Sequence, residues 1–154
     1  MKLTVIDRKK FEQRFPNRQH GIFNFAPYGS VEVDYTGTIL HSLRPSAISC
    51  ETDLPAFQEL IVWGTLFQEK VWRALLTIPF AETVCYSDIA HKIGHPRAVR
   101  AVGSALGANP IGIIIPCHRV LAKYGKIGGF EWGIELKKKW LAIEAGDGST
   151  TEHL

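Results

Sequence analysis

Residues 86–120 read YSDIAHKIGHPRAVRAVGSALGANPIGIIIPCHRV, and the architecture turns on this stretch. Ser87 is suited to cap a short helix over DIAHKI, which Gly94 ends. Pro96 then falls where the first turn of a second helix tolerates a missing N–H. Two short helices joined by a tight glycine-containing turn predict a helix-turn-helix. At about 100° per residue, Val99, Val102 and Leu106 share one stripe of the second helix. Arg97, Arg100, Ala101 and Ser104 lie on the opposite face. That face reads either as ordinary solvated surface or, because its residues and neighbouring Gly103 are small, as one that lets the backbone approach another surface closely. A nucleic-acid groove is one candidate for that surface. After Asn109-Pro110, the run IGIII at 111–115 is apolar and β-branched and reads as a strand buried on both faces. It delivers Pro116-Cys117-His118-Arg119-Val120 at its end.

Upstream, FQEKVWRALLTI puts Phe67, Val71, Leu75 and Ile78 at helical spacing before Pro79 stops the pattern. Further back, residues 28–45 alternate Val31, Val33 and Tyr35 against Glu32 and Asp34, with a Thr36-Gly37 turn leading into Ile39 and Leu40. This is the pattern of a β-hairpin with one buried face. Residues 45–58 read as a loop, and ELIVWG, which follows, is open between strand and helix. Downstream of Val120 come Gly125, Gly128, Gly129 and Gly133, then ELKKKWLAIE, a helix expected to turn Leu136, Trp140 and Ile143 inward. We place a domain boundary near Gly64, giving an N-terminal domain over 1–64, a second domain over 65–146 and a flexible tail over 147–154.

The composition suits a packed globular chain. Of 154 residues, 45% are hydrophobic and 21% charged, which argues against disorder. The N-terminal MKLTVIDRKK has no apolar signal-like region, and 111–115 is far too short to cross a bilayer. The expectation is a soluble, cytoplasmic protein with no membrane association. Residues 1–66 carry seven basic and seven acidic side chains, while 67–154 carry eleven and eight, so the whole net charge of +3 sits in the second half. A phosphate partner is compatible with that excess if it is gathered on one face. Cys50, Cys85 and Cys117 are odd in number and form no metal-ligand spacing, and the histidines add none. No dinucleotide, phosphate-loop or zinc-protease motif is present, so neither a cofactor nor a metal is expected.

Cysteine beside histidine can be a structural thiol or a nucleophile. The reactive species is the thiolate, favoured by positive neighbours such as Arg119 and by a base that takes its proton. Adjacent side chains on an extended segment point apart, so His118 would reach Cys117 only through a bend or a bridging water. A carboxylate would then be needed to orient the imidazole, and Glu144 on the last helix is a candidate.

Taken together, GTLFQEKVW, IPFAETVCYSDIA, PRAVRAVGSALGANP, IIIPCHRV and GKIGGFEWG resemble the O6-alkylguanine-DNA alkyltransferases, also called methylated-DNA–protein-cysteine methyltransferases. The resemblance runs over residues 64–144. It implies an N-terminal α/β domain with a small antiparallel sheet, shortened here, and a mainly helical, winged-helix-like C-terminal domain with a helix-turn-helix. It also implies a monomer, nucleoid-associated through DNA binding, that acts on double-stranded DNA bearing O6-alkylguanine. By the same resemblance Cys117 attacks the alkyl carbon of a flipped-out base in a single-turnover reaction, possible on O4-alkylthymine as well. His118 takes the thiol proton through a water, Glu144 orients His118, Asn109 braces the active-site turn and Tyr86 donates toward the guanine ring. Arg100 fills the gap left by the base, while Ala98, Ala101 and Gly103 lie against the groove. The carbonyls of Cys117 and Val120 accept from the exocyclic amine, and Phe130 and Glu131 line the substrate pocket.

The sequence departs from the family pattern at Phe130, where tyrosine is common, and at Glu131, an acid at the lip of a site that meets phosphates. Glu131 is expected to lower DNA affinity or alter which alkyl groups fit. Gly107 stands where a basic residue can occur, and Cys50 has no family role. Three other readings compete: a non-catalytic lesion-binding relative, which would lack the acceptor cysteine; a Cys-His hydrolase or redox-sensing thiol; and a transcriptional regulator. The last is disfavoured because the second helix offers few long polar side chains for reading base edges.

Overall fold

A computed structural model describes residues 1–146, and the tail expected over 147–154 lies outside the described residues. The chain divides into two compact units, Met1–Glu69 with Pro110–Gly112, and Lys70–Asn109 with the chain from Ile113 onward.

The first unit is built on a five-stranded sheet. Its elements are β1 (Lys2–Ile6), α1 (Arg8–Arg14), β2 (Gln19–Phe25), β3 (Gly29–Thr36), β4 (Ile39–Pro45) and β5 (Glu59–Trp63), with strand order β1-β5-β4-β3-β2. Asp7 caps α1 by accepting the Lys10 backbone N–H at 2.8 Å. This helix buries Phe11 and Phe15 against Ile61. The expected hairpin is β3–β4, with Val31 and Val33 buried and Glu32 and Asp34 half-buried. ELIVW resolves as a strand, its Leu60, Ile61 and Val62 all buried. The sheet is mixed rather than antiparallel, because β5 runs parallel to both β1 and β4. The 46–58 loop carries the chain back across the sheet, and a crossover of that kind returns a strand parallel to the one it left. No turn signal marks such a pairing, so hairpin reasoning does not find it.

The second unit contains α2 (Leu66–Leu75, which starts in the first unit), β6 (Val84–Cys85), α3 (Tyr86–Lys92), α4 (Val99–Gly107), β7 (Val120–Leu121) and α5 (Ile134–Glu144). Within it Val71, Trp72, Ala74 and Leu75 are buried, and the Trp72 indole N–H donates to the carbonyl of Ala105 in α4 at 2.9 Å. The short strands β6 and β7 pair in parallel, which brings the start of α3 beside the segment that follows Arg119.

Three local expectations change. The cap of α3 is not Ser87 but Cys85: the helix starts two residues earlier, at Tyr86, and the Asp88 carboxylate accepts the Cys85 N–H at 2.8 Å. Pro96 lies in the turn before α4, where Ala98 N–H bonds the His95 carbonyl, rather than in the helix's first turn. Finally, 111–115 is not a strand. Ile111 makes one bridge to Leu43, and the chain then turns with Ile113 at φ 67°. That conformation strains a β-branched residue by roughly 1–2 kcal/mol. Ile111, Ile113 and Ile115 are nevertheless buried, and the Asn109 amide donates to the Ile115 carbonyl at 2.8 Å. An apolar run can satisfy burial in a turn once a side chain takes over the hydrogen bonding of a missing ladder.

Candidate active site

Cys117 begins a single 3-10 turn, Cys117–Arg119, entered through Pro116. In such a turn successive side chains step around an axis instead of alternating across a strand. The fold therefore supplies the bend that an extended chain lacks. His118 is completely buried and donates from Nε2 to Oε2 of Glu144 at 2.6 Å. Arg119 holds the same carboxylate, with Nε at 2.7 Å from Oε1 and Nη2 at 3.0 Å from Oε2, and its Nη1 donates to the Ile78 carbonyl at 2.9 Å. Glu144 thus receives both the imidazole and the guanidinium, and being buried it has little contact with water to weaken either bond.

Burial pushes the Cys117 thiol up to about 11. The Asn109 side chain, hydrogen-bonded to the sulfur, and the charge of Lys137 pull the other way, while Glu131 adds to the rise. At neutral pH the resting group is therefore a thiol. The cation that acts on it is Lys137 rather than Arg119, which is spent on Glu144 and Ile78.

Lys137 lies in the KKK run of α5 and is completely buried. Its ammonium donates to the carbonyls of Val120 at 2.7 Å, Ile127 at 2.6 Å and Gly129 at 3.1 Å. Burial depresses its pKa to about 8, against the raising influence of Cys117. Tyr86 donates its hydroxyl to the Gly129 carbonyl at 3.4 Å, and burial holds its pKa above the ordinary phenol value, so it remains a donor.

These groups surround a cavity of about 310 Å³ with walls from Tyr86, Gly103, Leu106, Gly107, Cys117, Gly129, Phe130 and Glu131. Its aromatic wall is stacked from behind. Phe130 meets Trp140 edge-on with centroids 5.5 Å apart, and Trp140 in turn meets His118 at 5.4 Å. The close approach at Gly128 is obligatory: at φ 70°, a Cβ there would stand 3.0 Å from the Tyr86 hydroxyl. Among the described residues, no group of three or more His, Cys, Asp or Glu is placed to hold a metal ion.

Residues 66–146 match the model of the 6-O-methylguanine DNA methyltransferase DNA-binding domain. The chain belongs to this family. Among its relatives, a probable methylated-DNA–protein-cysteine methyltransferase of Acanthamoeba polyphaga mimivirus is 60% identical over 83 residues, covering 54% of each chain. The methylated-DNA–protein-cysteine methyltransferase of Mycobacterium bovis is 55% identical over 86 residues, covering 56% of this chain and 52% of that one. The matched part thus spans about half the length of these relatives. The crystal structure of Mycobacterium tuberculosis OGT in complex with DNA superposes with a TM-score of 0.72 at 38% identity, over 82% of this chain and 92% of that chain. In this methyltransferase-family chain, as in that structure, a sheet is combined with several helices.

Of the residues singled out from the family sequence, Cys117, Tyr86, Gly103, Phe130 and Glu131 meet at one cavity. Asn109, His118 and Glu144 stand behind it, buried. Arg100 and Ala101 are exposed on α4, and Ala98 is half-buried at its N-cap. Val120 is not a wall of the cavity. Its side chain is fully buried, and its carbonyl accepts from Lys137. Sequence reasoning passed over Lys137 because three consecutive lysines read as a solvated face. The only usable signal was helical spacing, which puts Lys137 one turn from Trp140 and two turns from Glu144 on a helix that must bury both.

Proposed function

We propose that this chain takes the alkyl group from O6 of an alkylated guanine in DNA onto Cys117, once per molecule. The observation that carries this reading is a thiol in the wall of a base-sized cavity, backed by the buried His118–Glu144–Arg119 chain. The bond from Sγ to the alkyl carbon forms as the bond from that carbon to O6 breaks, in line. The thiol proton passes to His118, whose Nε2–H is held by Glu144, so that Nδ1 accepts it through a bridging water. The departing electron pair stays on the guanine, which Tyr86 protonates, making the leaving group neutral, and the proton taken up by His118 returns to the Tyr86 phenolate through solvent. In net terms a thiol becomes a thioether, O6-alkylguanine becomes guanine, and one proton has moved from the first to the second. Nothing in this balance regenerates the thiol. The carbonyl of Cys117, a residue of the cavity wall, keeps a second lone pair for the guanine exocyclic amine beside the Val120 N–H, whereas the Val120 carbonyl is held by Lys137.

The helices α3 and α4 with the turn between them act as a helix-turn-helix beside the small β6–β7 pair, in a two-domain, winged-helix-like arrangement. The exposed face of Arg97, Arg100, Ala101 and Ser104 supports this reading, since small residues allow close approach and Arg97 offers a phosphate contact. Arg100 fills the space left by the flipped nucleotide, with Ala98, Ala101 and Gly103 against the groove. Asn109 braces the turn through the Ile115 carbonyl and touches the reacting sulfur.

The test is the intact mass of the protein after mixing with duplex DNA carrying one O6-methylguanine, followed by peptide mapping. The expected result is a gain of one methyl at Cys117, stoichiometric with protein and absent with undamaged duplex. Cys117→Ser should abolish the gain while still retaining the lesion-bearing duplex. Binding by the native chain without any mass gain would instead favour a lesion-recognition role.

A further inference from the structure

We infer that Glu131 makes the cavity a charge filter, favouring O6-alkyl groups that carry a cationic or hydrogen-donating end and rejecting those that carry an anion. The inference rests on the alkyl-transfer reading above. In an in-line displacement the attacking sulfur, the alkyl carbon and O6 are collinear, so anything attached to that carbon projects sideways into a wall. One wall is the end of α4, Leu106 and Gly107, together with Glu131 opposite. A Cβ built on Gly107 would lie 3.6 Å from Oε2 of Glu131, so the carboxylate leans over the helix end. Gly107 offers no side chain to neutralise it. Glu131 takes part in no ion pair or hydrogen bond among the described residues, whereas the other carboxylate of the site, Glu144, is fully engaged. Its influence reaches the reacting sulfur, which feels its negative charge. Glu131 and Gly107 are both exposed in the cavity wall, so solvent weakens the carboxylate's field, and the unneutralised charge discriminates by sign among substituents that reach that wall.

The experiment measures single-turnover transfer from one duplex sequence carrying O6-methylguanine, O6-carboxymethylguanine or O6-(2-aminoethyl)guanine. Each rate is expressed relative to the methyl rate of the same protein. Changes in DNA affinity or in thiol reactivity act on all three substrates and cancel in the ratio. Glu131→Gln should raise the carboxymethyl ratio about tenfold and lower the aminoethyl ratio about tenfold. Gly107→Lys, which places an ammonium beside the unaltered carboxylate, should move both ratios in the same directions. Ratios unchanged in both variants, with methyl transfer intact, would overturn the charge filter alone. Failure of the native chain to transfer methyl would overturn the alkyl-transfer reading and the filter with it, so the two failures are separable.

Discussion

At the scale of single residues, the site holds one buried imidazole, His118, and one buried ammonium, Lys137. His118 and Glu144 form the pair that sequence reasoning anticipated, because a cysteine-histidine dipeptide requires an orienting acid and the last helix offered one. Lys137 was not anticipated. An ammonium with no water around it survives only by giving its protons to carbonyls, and three of them, from Val120, Ile127 and Gly129, converge on it. It therefore ties β7 to the glycine loop and lends its charge to the sulfur. Lys137→Met keeps the stem and removes the charge. We expect it to lower unfolding free energy by about 3 kcal/mol, measured by urea titration, because the carbonyls lose their donor. Thiol alkylation by iodoacetamide at pH 8 should slow in the same variant, since the charge favouring the thiolate is gone. Faster labelling of an intact fold would show that Lys137 does not support the thiolate.

At the scale of elements, the turn between α3 and α4 and the bend at 113–119 do most to position the site. The α3 start is fixed by Asp88 reaching back to the Cys85 N–H, which also fixes Tyr86 as the first helical residue. Asp88→Ala should cost about 1 kcal/mol, read as a lower thermal midpoint with the fold retained, and Ser87→Ala should cost much less. A larger loss from Ser87 would reverse the assignment of the cap. On α4, Arg100 is exposed and its removal should leave stability unchanged. Its expected signature is substrate-dependent: Arg100→Ala should slow repair of O6-methylguanine in duplex DNA by tenfold or more, while barely altering reaction with the free base. Equal losses on both substrates would overturn the assignment of Arg100 to the space left by the base. The apolar periodicity of α2 and the inward stripe of α4 were legible, because burial of a helix face leaves a mark every three or four residues. The 111–115 run was not. Burial without period does not distinguish a strand from a turn, and the left-handed Ile113 is imposed by packing against local preference.

At the scale of the whole molecule, the displaced groups of the site act on alkaline stability in opposite directions, Lys137 one way and Cys117, with Tyr86, the other. Lys137, lowered to about 8, binds fewer protons when folded than when unfolded between pH 8 and its ordinary range near 10.5, so stability rises with pH there. Cys117, raised to about 11 from an ordinary 9, binds more protons when folded across that interval, so stability falls with pH. From pH 8 to 9 the lysine acts alone and unfolding free energy should increase. Above pH 9 the two oppose each other, and above about 10.5 the cysteine, joined by the raised Tyr86, leaves a decline. Urea titrations across pH 7.5–11 should show this rise in the native chain and not in Lys137→Met. A rise of equal size in both would assign it elsewhere. By itself the sequence singled out Cys117, His118 and the glycine loop by residue identity and the faces of α2 and α4 by period, but neither α1 nor the buried Lys137. Only the tertiary structure decided that the sheet is mixed, that the apolar run turns, that Lys137 rather than Arg119 lends its charge to the sulfur, and that Glu131 stands beside Gly107 with no ion pair among the described residues. Each of these depends on contacts between residues far apart in the chain, where burial and hydrogen-bond completion override what the neighbouring residues prefer.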